Sequence, residues 1–88
     1  MSYHYNVRLS KRSVKYIKSV DKDIQIKISE SIEQLRAEPI SGKNVKKLKG
    51  AENIYRYRLG KLRILYSLDS TNKQINIYSI GPRGNIYK

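Results

Sequence analysis

The segment Tyr55-Arg-Tyr-Arg-Leu-Gly-Lys-Leu-Arg-Ile-Leu-Tyr66 is the most informative part of this 88-residue sequence. Tyrosine and aliphatic side chains alternate with arginines on both sides of Gly60-Lys61, which is the pattern of two half-buried β-strands. A two-residue loop that begins with glycine favours a type II′ turn, so the segment predicts a β-hairpin. The turn also sets the register of the two strands, in which Arg58 lies directly opposite Arg63.

This register gives the hairpin an apolar face and a basic face. Tyrosines and aliphatic residues share the first, and Arg56, Arg58 and Arg63 share the second. Like charges directly opposite each other destabilise a strand pair, whereas guanidinium groups bind phosphate oxygens through paired hydrogen bonds. We therefore expect an anion to bind at the basic face. The alternative is that the three arginines are simply the solvated side of a half-exposed sheet.

The rest of the chain predicts an α+β domain around this hairpin. Apolar residues recur every three or four positions before Pro39, which indicates helices, and they alternate near both ends of the chain, which indicates strands. The predicted elements are a strand over Tyr3–Leu9, helices over about Lys11–Ser19 and from Asp21 to about Ala37, and strands over 55–59, 62–68 and 74–80. They form an N-terminal strand, an αα-hairpin and a three-stranded antiparallel meander, with the helices packed on one face of a small sheet. Residues 41–50 are predicted to be a basic loop.

Composition limits the classes of protein to consider. Nineteen Lys and Arg residues against seven Asp and Glu residues give a net charge of +12, and residues 39–88 alone carry eleven basic and two acidic side chains. This balance predicts a polyanionic partner. The absence of cysteine excludes disulfides, Cys-ligated zinc and a thiol nucleophile. The length predicts one domain over residues 1–88, and the lack of a long apolar stretch or signal peptide predicts a cytoplasmic protein without membrane contact.

Three segments together resemble the RelE/ParE superfamily of toxins from toxin–antitoxin modules, over nearly the whole chain. They are Val45-Lys-Lys-Leu-Lys-Gly50, the hairpin, and Ile80-Gly-Pro-Arg-Gly-Asn-Ile-Tyr87. RelE-type members are metal-independent endoribonucleases that cut messenger RNA in the ribosomal A site. ParE-type members share the fold and poison DNA gyrase.

The pattern is most similar to the RelE-like branch. It therefore implies a RelE-like microbial RNase fold that needs no cofactor or metal. It also implies a cognate RelB-like antitoxin, the ribosome and messenger RNA as partners. A ParE-like gyrase inhibitor and an inactive antitoxin-binding homologue remain alternatives.

The resemblance also implies a catalytic set. Arg56 and Arg58 match two basic positions on one strand, Arg63 matches an arginine on the next, Arg83 follows the last strand, and Tyr87 matches a C-terminal tyrosine. Such a set can promote attack of the RNA 2′-hydroxyl on the adjacent phosphate. Arg58 and Arg63 would hold the phosphorane, with Arg56 assisting and Arg83 near the leaving oxygen. Tyr87 would be the general base or a stacking platform. The departures from the family are arginine, rather than lysine, at the first two positions, Pro82 where relatives often carry a polar residue before the arginine, a short spacing from Arg83 to Tyr87, and the lack of a C-terminal helix.

Lysines near the hairpin are candidates for RNA binding, with a solvated loop as the alternative. They are Lys43, Lys46, Lys47, Lys49 and Lys61. His4 is interpreted as an ordinary strand residue. Asp21 and Asp23 open a helix, where the dipole favours acidic side chains, so they are not interpreted as metal ligands.

Overall fold

The computed structural model of this chain describes residues 5–40, 42–48, 50 and 53–82. Within these residues it contains two helices and five strands. In chain order they are β1 (Asn6–Leu9), α1 (Lys11–Ser19), α2 (Lys22–Ala37), β2 (Val45–Lys47), β3 (Ile54–Leu59), β4 (Leu62–Asp69) and β5 (Gln74–Gly81). The predicted α+β class is confirmed, together with both helices and the hairpin. Neither helix in this part of the chain is long and apolar enough to cross a membrane.

The strands form one sheet in the order β1-β5-β4-β3-β2. β1 runs parallel to β5, and the other pairs are antiparallel. The β3–β4 hairpin has the predicted register, with Arg58 opposite Arg63. Gly60 adopts a φ of 58°, which the first loop position of a type II′ turn requires. The alternation of side chains around this turn therefore predicted the pairing correctly.

The predicted basic loop over residues 41–50 is wrong at its centre, because Val45–Lys47 forms strand β2. Val45 lies opposite Tyr57, and Lys46 lies opposite Arg56. The antiparallel meander of the described residues consequently has four strands, instead of the predicted three. A lysine-rich segment with a single inward valine has no recognisable alternation. It forms a strand because the outer edge of β3 offers backbone groups that need partners.

Local sequence explains where the helices begin and what they bury. The Ser10 hydroxyl accepts a hydrogen bond from the Ser13 backbone N–H at 3.1 Å and so caps α1. Asp21 occupies the corresponding position of α2 without a side-chain capping bond. The predicted stripe of α2 faces the sheet: two of its residues are buried and two pack against the core from its margin. These residues are Ile28, Leu35, Ile24 and Ile32.

The core fills the space between the helices and one face of the sheet. Tyr66 is fully buried there, and its hydroxyl donates a hydrogen bond to the Pro39 carbonyl at 2.6 Å. The rings of Tyr55 and Tyr66 stack with centroids 5.7 Å apart. These contacts fasten the segment after α2 to the middle of the sheet. The opposite face of the sheet, which the helices leave uncovered, is called the open face below.

Candidate nucleic-acid interface

The open face carries a group of basic side chains. Successive residues of a strand point to opposite faces, so burial of the β3 tyrosines in the core places Arg56 and Arg58 on the open face. Their partners in the register, Lys46 of β2 and Arg63 of β4, lie on the same face. We refer to Lys46, Arg56, Arg58 and Arg63 as the basic patch.

Arg58 and Arg63 approach each other as closely as antiparallel strands allow. The Arg58 backbone N–H donates to the Asn44 carbonyl at 3.0 Å, on the β2 side, and therefore does not bond to β4. Arg58 and Arg63 are thus a non-hydrogen-bonded pair. In such pairs the Cα atoms are about 4.5 Å apart and the side chains lie closer than in the hydrogen-bonded kind. The backbone itself brings these two residues together.

Arg56 and Lys46 enlarge this cluster of charge. Two residues along a strand separate Arg56 from Arg58 by about 7 Å. The diagonal from Arg56 to Arg63 across β3 and β4 is about 7–8 Å. Lys46 lies directly opposite Arg56 on the edge strand. Each residue of the basic patch therefore has another within about 8 Å along or across the strands, close enough for several long basic side chains to reach one phosphate-bearing ligand.

The charge of the basic patch is not neutralised within the described residues. No carboxylate of this part of the chain forms a salt bridge with any of its four side chains, and the salt bridge that is present joins Arg36 to Glu33 on α2. The Arg63 guanidinium donates to the Pro82 carbonyl at 3.3 Å, which holds it against the end of β5. Within the described residues, the four positive charges of the patch therefore have no carboxylate partner.

Some of the remaining predicted site residues lie outside the described part of the chain, and the structure gives the positions of the others. Those that lie outside the described residues are Arg83, Tyr87, Lys49 and His4. Lys43 is exposed in the turn before β2, and Lys61 lies at the tip of the hairpin. Lys47 pairs with the buried Tyr55 and so lies on the helix side of the sheet. Of the described lysine candidates, only Lys46 belongs to the basic patch.

Titration of Tyr66 is suppressed by its surroundings. Burial raises the pKa of its phenol, and the neighbouring Tyr55 and Tyr57 raise that pKa further. Tyr66 therefore remains a neutral hydrogen-bond donor and cannot act as a base. The described residues contain no group of three or more His, Asp or Glu side chains arranged to hold a metal ion.

Two residues of the open face were missed as site candidates. Val7 and Leu9 pack against the core, so Arg8 between them points to the open face, where it is exposed. Tyr78 of β5 also lies on this face and is exposed. The alternation of β1 could have indicated the direction of Arg8. Nothing local, however, shows that β1 pairs with the last strand.

On the opposite side of the sheet, a groove separates the helices from the tip of the hairpin. Its volume is about 650 Å³. The lining is mostly apolar, with two lysines and no acidic residue. The side chains that form it include Tyr16, Val20, Ile24, Lys27, Leu59, Lys61 and Leu62.

Comparison with known proteins identifies the family. The model of the family described as "ParE toxin of type II toxin-antitoxin system, parDE" matches residues 7–87. The chain belongs to the RelE/ParE superfamily of type II toxins. It is also 35% identical over 86 residues to "Putative toxin RelE1" of Methanocaldococcus jannaschii, an alignment that covers 96% of each chain. The predicted membership is confirmed.

Solved structures of RelE–RelB complexes share the fold of this superfamily member. The RelE–RelB complex of Pyrococcus horikoshii OT3 contains a chain that is 34% identical, with a TM-score of 0.80; the match covers 93% of this protein and 98% of that chain. A chain of the RelB–RelE antitoxin–toxin complex from Methanococcus jannaschii is 28% identical, with a TM-score of 0.69, and the match covers 90% and 93% of the two chains. These likenesses favour the RelE-like branch.

Proposed function

We propose that this superfamily member is a ribosome-dependent, metal-independent endoribonuclease that cuts messenger RNA in the A site and thereby inhibits translation. The observation that carries the proposal is the close, uncompensated pair of Arg58 and Arg63 within the basic patch. Maintaining such a pair costs stability, and a phosphate bound between the two guanidinium groups would remove that cost. Residues 1–88 would act as a single toxin domain in the cytoplasm, where ribosomes are available.

The basic patch can stabilise the charge that develops during RNA cleavage. When the 2′-hydroxyl attacks the adjacent phosphate, negative charge accumulates on the phosphorane oxygens. Donors that are already oriented by a protein stabilise this charge best. Arg58 and Arg63 would contact these oxygens, and Arg56 would assist from the same strand. Lys46 would bind a flanking phosphate, and we assign Lys43, Lys49 and Lys61 to more distant RNA contacts; Lys47, on the helix side of the sheet, is not part of this assignment.

Proton transfer would involve the two residues that the family motif places near the C-terminus. Cations favour the ionised form of a nearby phenol, so Tyr87 would act as the base for the 2′-hydroxyl, or would stack on a nucleotide. Arg83 would stand near the leaving 5′-oxygen. Arginine is a poor acid because its pKa exceeds about 12, and its contribution there would be electrostatic.

The side chains of the basic patch are poorly suited to proton transfer, which accounts for the proposed dependence on the ribosome. None of its four members is a His, Asp or Glu, the side chains that most often transfer protons. Correct positioning of a substrate can itself supply about 7–11 kcal/mol toward a reaction. A ribosome that holds the messenger RNA in the A site would provide this contribution.

The cognate partner would be a RelB-like antitoxin. The relatives from Pyrococcus and Methanococcus were solved as complexes with RelB. The groove beside the hairpin offers an apolar lining with Lys27 and Lys61. This combination suits an amphipathic antitoxin segment with acidic side chains.

A ParE-like inhibitor of DNA gyrase is the second candidate. The specific observation in its favour is that the matching family model carries the ParE description. The basic patch argues against it, because a toxin that only binds a protein has no need for closely paired arginines. The third possibility is a homologue that binds antitoxin and has no activity.

Cleavage of a defined messenger RNA distinguishes these candidates. We expect primer extension to detect cuts only when ribosomes are present, within the A-site codon. A 2′-deoxy substitution at the mapped nucleotide should abolish that cut, and persistent cutting there would refute transesterification. Absence of cutting by folded protein would contradict the proposal. Inhibition of gyrase supercoiling by the same sample would then favour the ParE-like candidate, and no effect in either assay would favour the inactive homologue.

A further inference from the structure

Tyr78 is the most exposed tyrosine among the described residues, and it lies on the open face. Its exposed fraction is 46%, whereas every other tyrosine in this part of the chain is buried or half-buried. An aromatic ring in water gives up the stabilisation that burial supplies. Its position therefore requires an explanation.

Alternation along β5 places Tyr78 on the open face together with Asn76, and a β-bulge lies at this residue. The register of β4 and β5 shifts between Leu65, which pairs with Ser79, and Tyr66, which pairs with Ile77, so Tyr78 is the extra residue. Bulges redirect side chains and are common next to functional sites. The Ser10 hydroxyl, which caps α1, donates to the Tyr78 carbonyl at 2.6 Å and fixes the backbone there.

The Tyr78 ring lies across the sheet. Its hydroxyl donates to the Ser67 hydroxyl oxygen on the neighbouring strand β4 at 3.0 Å, and the Asn76 side-chain amide donates to the same oxygen at 3.5 Å. A ring tethered to the adjacent strand cannot stand upright from the sheet. It lies across the sheet with nearly half of its surface exposed, so that a base can stack on it.

Cations lie on both sides of this ring. Arg8 of β1 is exposed on the open face and pairs with Asn76. Arg63 of the basic patch is four residues along β4 from Ser67, which is about 13 Å. The described carboxylate with a register position on this face is Asp69, two residues along β4 from Ser67, and its oxygens accept hydrogen bonds from Asn72. The charge around Tyr78 thus favours a polyanion with planar groups.

We propose that Tyr78 stacks on an unpaired base of single-stranded RNA, and that Arg8 binds the adjoining phosphate. This inference rests on the proposed function, because it extends the RNA path from the basic patch toward β1. Stacking on an aromatic side chain tolerates any base, so Tyr78 would contribute affinity without reading the sequence. Arg8 would contribute through charge alone.

Binding to a short labelled RNA tests this assignment without requiring cleavage or ribosomes. Fluorescence anisotropy of a twelve-nucleotide RNA is measured with the full chain at several salt concentrations. Removal of one base-stacking contact weakens binding about five- to 100-fold, which we expect for Tyr78→Leu, with an unchanged dependence of affinity on salt. Arg8→Ala should reduce the slope of log K against log salt by about 0.7, as loss of one phosphate contact does for a single strand. Ile26→Ala, which removes an exposed side chain of α2 away from the open face, should bind as the wild type does.

A tryptophan at the same position gives a second, direct measurement. The chain contains no tryptophan, so the emission of Tyr78→Trp reports on this site alone. Quenching that saturates with RNA, but does not occur with an abasic strand, would support stacking. Unchanged affinity of folded Tyr78→Leu, absence of quenching, or absence of RNA binding by the wild type at low salt would each overturn the inference. So would quenching by an acidic peptide alone, because it would assign the platform to a protein partner. Failure of ribosome-dependent cleavage would instead count against the proposed function.

Discussion

Replacement of Arg58 with threonine should make the protein more stable, although it removes a proposed catalytic side chain. Arg58 and Arg63 form a non-hydrogen-bonded pair, so their side chains are held close together by the backbone. Threonine suits a strand position and carries no charge. The expected gain is the relief of repulsion between two guanidinium groups.

The size of this gain in stability depends on the distance between the two charges and on how strongly salt screens their repulsion. At the Cβ separation of a cross-strand pair, about 5 Å, two unit charges in water repel each other by roughly 0.8 kcal/mol. This value is an upper limit, because the Arg63 guanidinium is held toward β5. The Debye length is about 10 Å at 0.1 M salt and about 3 Å at 1 M, which reduces the repulsion to roughly 0.5 and 0.2 kcal/mol respectively. Cross-strand pairs contribute about 0.2–1 kcal/mol in general. We therefore expect Arg58→Thr to raise the melting temperature by up to about 2–4 °C at 0.1 M salt and by much less at 1 M.

Thermal unfolding followed by circular dichroism at both salt concentrations measures this difference. Arg8→Thr is the matched control, because Arg8 is also an exposed strand arginine but lies opposite Asn76 instead of a cation. It should show no comparable gain. Equal changes in the two variants, or a gain at Arg58 that does not decrease with salt, would refute the conclusion that the basic patch is held under repulsion.

Three further predictions concern single side chains. Arg63→Lys should keep the charge and the fold but lose bidentate hydrogen bonding to phosphate. The rate of messenger RNA cleavage on the ribosome should therefore fall, with little change in melting temperature. An unchanged cleavage rate would exclude bidentate binding. Tyr66→Phe should lower the free energy of unfolding by about 1–3 kcal/mol, because it leaves the buried Pro39 carbonyl without its donor, and urea titration with an unaltered midpoint would contradict this. Hydrogen bonds from Asn72 lower the pKa of Asp69 below its ordinary value of 3.8. The ionised Asp69 carboxylate therefore stabilises the fold fully above pH 3.8, and this contribution is lost as the pH falls through the lowered pKa of the folded state. An NMR titration that gives Asp69 a pKa of 3.8 or higher would contradict this prediction.

Local patterns were sufficient to predict the hairpin and the helices. A glycine-led loop between two alternating segments fixes the register of β3 and β4, and the juxtaposition of Arg58 and Arg63 follows from it. The apolar stripe of α2 predicts its helix equally clearly, because apolar residues at helical spacing have few other interpretations. The principal part of the basic patch was therefore accessible from one segment of sequence.

Features that depend on pairing between strands far apart in the sequence could not be predicted from the sequence alone. β2 has no pattern of its own and exists because β3 provides an edge, so the position of Lys46 opposite Arg56 could not be read from the sequence. Arg8 joins the open face because β1 pairs with β5, near the other end of the chain. The bulge at Tyr78 interrupts the alternation of β5 and buries Ile80, which a strict two-residue period would expose.

The rate of messenger RNA cleavage by Arg63→Ala on the ribosome tests the role of the basic patch most directly. Lys15→Ala is the matched control, because it also removes one positive charge but from an exposed position on α1. Loss of a donor that stabilises transition-state charge typically slows a reaction by about 100- to 1,000-fold. We predict a loss of this size for folded Arg63→Ala and the wild-type rate for Lys15→Ala. Cleavage by folded Arg63→Ala at the wild-type rate would contradict the assignment of the open face as the RNA-cleaving site.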